Sequence, residues 1–248
     1  MSQNNTRWKI AQSYEKDWWQ NHKADIDWYQ DVANEIQEKI TPYLKIQKDT
    51  GILEIGAGPC GPISYFKSEH RYAIEPLNEI FAEQYSKFRD QNVHYQTGKG
   101  EELPFDDVFF DLVIIDNVLD HCDQPLKVLS EIDRVLKVNG IVYLRVHVYH
   151  AFGRRVRRIM EKFMIDKGHP YSFSESELQK NFAEFGWQLL FKEKEKYFTS
   201  WFKDLKSFTK KGLFKAILFT TKASELFILQ KVNKSKNTDI FFNEHSRS

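Results

Sequence analysis

The residues best suited to ligand chemistry form a glycine loop that begins at position 56. From position 54 the chain reads EIGAGPCG, directly after a short apolar run. Glycines in such a loop let the backbone approach a ligand and turn N–H groups toward it. The spacing Gly56-x-Gly58-x-x-Gly61 fits the dinucleotide fingerprint, but that pattern alone is shared by several classes of enzyme. The loop therefore predicts a nucleotide-containing cofactor without identifying it.

Two carboxylates narrow the choice of cofactor. Glu54 lies two residues before Gly56, where a negative charge repels a pyrophosphate and favours a cationic ligand. Glu75 follows Gly56 by 19 residues, which suits an acid at the tip of the second strand that binds ribose hydroxyls. The short stretch 63–67 leaves little room for a long dinucleotide helix. A flavin- or nicotinamide-dependent oxidoreductase is thus the less favoured alternative.

Candidate proton-transfer groups follow the fourth and fifth apolar runs. His121 and His150 are the residues we select, because an imidazole titrates near neutral pH and both lie just past a predicted strand. The eight histidines and two cysteines show no metal-ligand spacing, so the sequence predicts no metal site.

The elements that must position these residues alternate between strand and helix. Apolar runs at 52–55, 71–75, 93–95, 111–116 and 141–146 predict five strands. Helical patterns fill 77–88 and 126–136, and Asn139-Gly140 is predicted to end the second helix. This alternation predicts an α/β fold, a doubly wound, mostly parallel sheet of seven strands with helices on both faces.

The flanking regions complete the predicted organisation. Helical spacing and the six tryptophan and tyrosine rings between positions 8 and 29 predict that residues 1–48 form an N-terminal helical lid. Residues 49–232 form the main domain, in which Ser174 and Glu177 form a capping box and 187–191 and 225–232 are strands. A basic helical insertion is predicted at 198–222, and residues 233–248 form a disordered tail.

Composition excludes several classes of protein. The 248 residues are 41% apolar and 29% charged, which is typical of a globular chain. No apolar run reaches the roughly 20 residues of a membrane span, and two cysteines argue against a disulfide scaffold, so we expect a cytoplasmic location. The net charge of +1 divides into −8 over residues 1–150 and +9 over 151–248.

The sequence resembles the class I S-adenosylmethionine-dependent methyltransferases, in the ubiquinone/menaquinone-methyltransferase-like group. Four motifs in the expected order carry the likeness over residues 50–147: the glycine loop, Glu75-Pro76, the segment 98–105 and the segment 111–121. Together they are specific, whereas each motif alone is not.

The resemblance implies S-adenosyl-L-methionine as the cofactor and a role for each matching residue. Glu54 and the Gly56–Gly58 backbone would border its methionine part, Glu75 its ribose, the segment 99–101 its adenine, and Asp116 its sulfonium side. The implied cofactor-binding set is Glu54, Gly56, Ala57, Gly58, Glu75, Pro76, Lys99, Gly100, Glu101, Asp116 and Asn117.

One position departs from the family pattern. Family members usually carry an aspartate at the position of Lys99, where it accepts a hydrogen bond from the adenine amino group, and a lysine cannot accept one. This departure keeps open a non-catalytic binding module with the methyltransferase fold.

The acceptor is predicted less closely than the cofactor. The basic segments at 154–158 and 201–222 favour an anionic, glycan-like or lipid-linked small acceptor methylated on oxygen. They also predict peripheral contact with the inner face of the membrane. No signature of a nucleic-acid substrate and no obligate protein partner is evident.

Overall fold

The computed structural model describes residues 3–162, 171–194, 201–202, 205–206, 209, 217 and 220–233. The predicted basic insertion lies largely outside these residues, and the predicted tail lies almost entirely outside them.

The centre of the molecule is one seven-stranded sheet with the strand order β3-β2-β1-β4-β5-β7-β6. The first five strands run parallel, and β7 is antiparallel to both β5 and β6. The order reverses between β1 and β4, which is where an open α/β sheet leaves a crevice for a ligand. The strands are β1 Gly51–Ile55, β2 His70–Glu75, β3 Val93–Thr97, β4 Phe110–Asp116, β5 Leu136–Tyr149, β6 Trp187–Lys194 and β7 Lys222–Lys231.

Helices precede the sheet and cover it. Two helices come before β1, and the others follow β2, β4 and β5. They are α1 Gln3–Asn21, α2 Ile26–Ile40, α3 Asn78–Tyr85, α4 Pro125–Val135, α5 Ala151–Lys162 and α6 Glu175–Phe185. The doubly wound α/β fold predicted from the sequence is confirmed.

Both faces of the sheet are buried, as the continuous apolar strands require. Because side chains alternate along a strand, Val113 and Ile115 of β4 pack into a core that includes residues of α4 and α6. Leu112 and Ile114 point to the opposite face, where they share a core with residues of α2. Two cores on one sheet hold the loops at its carboxyl edge in fixed positions.

The junction between α4 and β5 differs from its prediction. The helix ends at Val135, and Leu136 is already extended, so Asn139 and Gly140 lie within β5 rather than at a helix end. Asn139 adopts a positive φ of 66°, the conformation that its residue type tolerates. Leu136 pairs with Phe110 before a register shift, so pairing with β4 starts the strand early.

The capping box on α6 is confirmed. The Ser174 hydroxyl accepts a hydrogen bond from the Glu177 N–H at 3.3 Å, and the Glu177 carboxylate accepts one from the Ser174 N–H at 2.9 Å. Two N–H groups that a helix start leaves unpaired are thereby satisfied.

Candidate active site

A cavity of about 440 Å³ opens at the carboxyl ends of β1, β2 and β4. One wall is the glycine loop and the strand ends, and the opposite wall is α1 with the start of α2. The volume lies within the range of pockets that bind small ligands. All the residues of the implied cofactor-binding set line this cavity.

The glycine loop depends on glycine at its first position. Gly56 has a φ of +75°, and a Cβ atom there would collide with Val118. The Gly56 N–H donates to the Ile74 carbonyl at 2.7 Å, which joins the loop to β2. Glycine thus permits both the left-handed turn and the close approach of the loop after β4.

Glu54 lies beneath the loop. It is 2% exposed, and its Oε2 accepts the Ile63 N–H at 2.9 Å. Burial raises the pKa of Glu54 to about 8, against the lowering effect of that hydrogen bond. The geometry therefore gives Glu54 the loop-organising role, one of the two roles that the resemblance implied.

Glu75 ends β2 and holds two backbone donors. Its Oε2 accepts the Gly58 N–H and its Oε1 accepts the Leu77 N–H, each at 2.9 Å. A carboxylate offers about four lone-pair sites, so each oxygen keeps one for a further donor. Burial raises the pKa of Glu75, while these two hydrogen bonds lower it. A pair of free acceptor sites at a strand end suits a ribose with two adjacent hydroxyls.

Asp116 and Asn117 add unsatisfied acceptors at the end of β4. Asn117 Nδ2 donates to Asp116 Oδ1 at 2.8 Å, whereas Asp116 Oδ2 and Asn117 Oδ1 are buried with no hydrogen-bond partner among the described residues. Burial raises the pKa of Asp116 to about 6, opposed by Arg145, whose Nε lies 3.8 Å from Oδ1. Orphaned buried acceptors indicate a ligand that brings donors or positive charge.

Residues 99–101, the implied adenine end, make contacts of their own within the fold. Glu101 Oε1 accepts the Asp123 and Gln124 N–H groups at 2.7 and 3.1 Å, so this carboxylate caps the start of α4. The Lys99 ammonium lies 3.5 Å from the centroid of the Trp8 ring, where it makes a cation–π contact with α1. A Cβ atom at Gly100 would press on Ile55 and Val128, so glycine fits this crowded position.

Of the two candidate histidines, the structure places one in the cavity. His121 lines it, and its Nε2 lies 3.9 Å from Oδ1 of Asp120, a carboxylate that is 1% exposed. The other oxygen of Asp120 is 4.0 Å from Nδ1 of His147. His150 is exposed before α5 and is not among the residues that line the cavity.

Glu15 is a cavity residue that the sequence analysis missed. Trp8, Gln12, Glu15 and Trp19 all line the cavity, and their 4-3-4 spacing places them on one face of α1. The signal was therefore present in the sequence, as an acid within a stripe of tryptophans. Among the described residues, no three His, Cys, Asp or Glu side chains are grouped as a metal site.

These residues fit S-adenosylmethionine in the chemistry of their donor set. The cavity offers free acceptors at Glu75, Asp116 and Asn117, and carboxylates outnumber lysines along its lining. The cofactor brings matching groups: two ribose hydroxyls, an ammonium and a positively charged sulfonium.

Comparison with known proteins supports the same assignment. Residues 53–144 match the family model described as a methyltransferase domain. The sarcosine/dimethylglycine N-methyltransferase of Aphanothece halophytica is 31% identical over 99 residues, which cover 37% of this chain and 35% of that protein. The chain matches only about a third to two fifths of the length of such curated relatives.

Solved structures extend the likeness of fold beyond that segment. The YcgJ protein of Bacillus subtilis superimposes with a TM-score of 0.59 at 20% identity, over 81% of this chain and 99% of that one. The geranyl diphosphate C-methyltransferase of Streptomyces coelicolor has a TM-score of 0.59 at 14% identity, over 80% and 79%. Residues 53–144 of this chain therefore match the methyltransferase domain family, and the sheet around them has the fold of the solved methyltransferase structures.

Proposed function

We propose that the chain is an S-adenosylmethionine-dependent methyltransferase that acts on a small acceptor. The observation that carries the proposal is Glu75, a buried carboxylate at the end of β2 whose two oxygens each hold one N–H and keep one free acceptor site in the cavity. That is the arrangement needed to bind two vicinal hydroxyls of a nucleoside.

The chemistry needs few groups from the protein. The bound cofactor supplies a methyl group whose carbon–sulfur bond breaks, with its electron pair passing to sulfur, as an acceptor lone pair forms the new bond. The chain's own task is to orient the acceptor, exclude water and remove a proton where the acceptor carries one. We assign this step to His121, whose imidazole lies beside the buried Asp120 carboxylate.

We further propose that residues 1–48 act as the lid of this site. Support comes from α1 and α2, which form one wall of the cavity. Glu35 of α2 pairs with Arg145 of β5 at 2.6 Å, and Ile36 is fully buried against the sheet. Since α2 is anchored in this way, we propose that α1 is the part of the lid that moves.

Calorimetric titration with S-adenosylhomocysteine tests the cofactor site. Glu75→Gln keeps the shape of the side chain and removes its charge, and we expect it to weaken binding by about 10–100-fold, because hydrogen bonds to charged groups are the strong ones. Glu79→Gln, on the exposed first turn of α3, is the matched control and should bind like the wild type. Equal affinity of all three proteins would contradict the proposed ribose contact.

Oxygen as the methylated atom and an anionic or lipid-linked acceptor stay predictions from the sequence. Three arginines of the basic segment 154–158 make contacts within the fold. Arg154 and Arg158 both contact Glu177, and Arg157 donates a hydrogen bond to the buried Ser172 at 3.0 Å. No helix within the described residues is long and apolar enough to cross a membrane.

A non-catalytic binding module is the second candidate, and Lys99 is the observation that favours it. This residue contacts Trp8 rather than offering an acceptor to adenine. Titration with S-adenosylhomocysteine distinguishes the methyltransferase from the non-catalytic module. A module that had lost the cofactor site would show no heat of binding. An oxidoreductase would bind a flavin or a nicotinamide dinucleotide instead.

A further inference from the structure

The lid wall of the cavity is unusually rich in aromatic rings. Besides the implied cofactor-binding residues, the lining includes four tryptophans and one tyrosine from α1 and α2: Trp8, Trp18, Trp19, Trp28 and Tyr29. Tryptophan faces attract cations more strongly than other rings do. The Lys99 ammonium, 3.5 Å from the Trp8 centroid, shows one of these faces in contact with a cation.

Glu15 stands on the same wall. Burial raises the pKa of its carboxyl, and His121, which lines the same cavity, lowers it. Gln12 Nε2 donates a long hydrogen bond of 3.4 Å to its Oε2. Within the part of the chain that the structure describes, no lysine or arginine pairs with Glu15. In the described part of the chain, this partly buried carboxylate on an aromatic wall therefore has no lysine or arginine as its ion-pair partner.

The charge of the whole lining points the same way. It contains six carboxylates and two ammonium groups. The carboxylates belong to Glu15, Asp25, Glu54, Glu75, Glu101 and Asp116, and the ammonium groups to Lys23 and Lys99. Glu54, with a pKa of about 8, contributes little of this charge near neutral pH, but the other five carboxylates still outnumber the two ammonium groups and the one net positive charge of the cofactor. The surroundings of the acceptor therefore stay negative. An anionic acceptor would be repelled, and a cationic one would be attracted.

We propose that the acceptor is a small amine, whose ammonium group binds between Glu15 and the tryptophan wall of α1, beside His121. This inference rests on the proposed methyltransferase function and names the substrate class for that site. It replaces the anionic acceptor that the basic C-terminal segments favoured in the sequence. Methyl transfer then goes to nitrogen.

The neighbouring groups match the proton chemistry of an amine. An ammonium nitrogen has no lone pair, so the amine must lose a proton before it can form the new carbon–nitrogen bond. His121 is placed to accept that proton, and the Asp120 carboxylate 3.9 Å from its Nε2 stabilises the imidazolium that results. Glu15 binds the cationic form first and holds it near that base.

Binding of choline tests the proposal without any turnover. Its quaternary nitrogen cannot be methylated again, and S-adenosylhomocysteine in the cofactor site has no methyl group to give. The comparison probes are the uncharged analogue in which a tert-butyl group replaces the trimethylammonium group, and a hexose phosphate. Each probe is titrated by calorimetry and by tryptophan fluorescence, with and without S-adenosylhomocysteine.

We expect choline to bind at least about 10-fold more tightly than its uncharged analogue, and the hexose phosphate not to bind. Glu15→Gln should remove about 10-fold of that preference. Trp18→Leu, at a ring that is 43% exposed and so tolerant of change, should weaken choline binding about 2–5-fold. Asp17→Asn, an exposed acid on the same helix, is the matched control and should leave binding unchanged.

The outcomes separate the two proposals. Normal binding of S-adenosylhomocysteine together with equal binding of choline and its uncharged analogue, or preferential binding of the hexose phosphate, overturns the amine acceptor and leaves the methyltransferase function standing. Absence of S-adenosylhomocysteine binding overturns the proposed function. The cofactor-free titrations still decide whether the cavity selects a cation.

Discussion

At the scale of single residues, the site is a set of buried acids held by backbone N–H groups. Glu54 and Glu75 accept three N–H groups between them, from Ile63, Gly58 and Leu77, and burial raises the pKa of both carboxyls. Such acids are costly to ionise unless a cation arrives. A positively charged ligand is therefore the natural complement of this cavity.

Glu54 makes the stability of the protein depend on pH. Its pKa is raised from 4.5 to about 8 in the folded state, so its contribution is fully present below pH 4.5 and is lost as the pH rises toward 8. Glu54→Gln keeps an acceptor for the Ile63 N–H and removes the titration. The wild type should lose unfolding free energy from pH 6 to pH 9, and the variant should not. We therefore expect the stability of the variant relative to the wild type to be about 1–3 kcal/mol higher at pH 9 than at pH 6. Urea unfolding at the two pH values measures this difference.

The same measurement on Glu69→Gln provides the control, because Glu69 is exposed beside β2. A stability difference between Glu54→Gln and the wild type that does not change with pH would contradict the assignment of the buried titration to Glu54.

At the scale of elements, the sequence predicted best where one signal determined the structure. The strands and the capping box of α6 followed from local patterns, and the structure has them. The end of α4 did not follow, because pairing of Leu136 with Phe110 is a tertiary contact that overrides the turn signal at Asn139. The stripe on α1 that contains Glu15 is visible in the sequence, but its place against the cavity depends on how α1 folds over the sheet, which is a tertiary contact.

The cation–π contact between Lys99 and Trp8 joins α1 to the loop after β3. Removing it with Lys99→Ala should increase hydrogen exchange of the α1 amides about 2–5-fold, the equivalent of one exposed cation–π contact. Lys9→Ala, an exposed lysine of α1 itself, serves as the matched control. Exchange that is unchanged in Lys99→Ala would show that the contact does not hold the lid.

The capping box gives a second test at this scale. Ser174→Ala removes the side chain that accepts the Glu177 N–H, and we expect a loss of about 1 kcal/mol of unfolding free energy. Ser176→Ala, two residues along the same helix and exposed, should change stability by less than about 0.5 kcal/mol. Comparable losses in the two variants, measured by urea unfolding, would argue against a capping role.

At the scale of the whole molecule, the charge asymmetry along the chain predicted an anionic partner for its basic half. The acidic half, residues 1–150, supplies the carboxylate-rich cavity that the structure shows. The described part of the basic half instead has Arg154, Arg157 and Arg158 in contacts within the fold. The net charge of a stretch of chain therefore shows neither which of its basic groups stay free nor the charge of the site.

Ligand binding should stabilise the whole fold, because the cavity joins the lid to the carboxyl edge of the sheet. S-adenosylhomocysteine at about 100 times its Kd adds roughly 2.7 kcal/mol by mass action. For a chain of this size that corresponds to an increase in Tm of about 5–10 °C, measured by calorimetric melting. Adenosine lacks the methionine part and should bind more weakly. At the same concentration as S-adenosylhomocysteine it should therefore raise the Tm by less. Equal increases would show that Asp116 and the glycine loop add nothing to binding.

The most direct measurement is a calorimetric titration of the wild-type protein with S-adenosylhomocysteine, NAD and FAD under the same conditions. A methyltransferase site predicts one-to-one binding of S-adenosylhomocysteine at micromolar affinity and no heat from the two dinucleotides, whose pyrophosphates would face the carboxylates of the cavity. Binding of NAD or FAD, or no binding of S-adenosylhomocysteine, would contradict the proposed function.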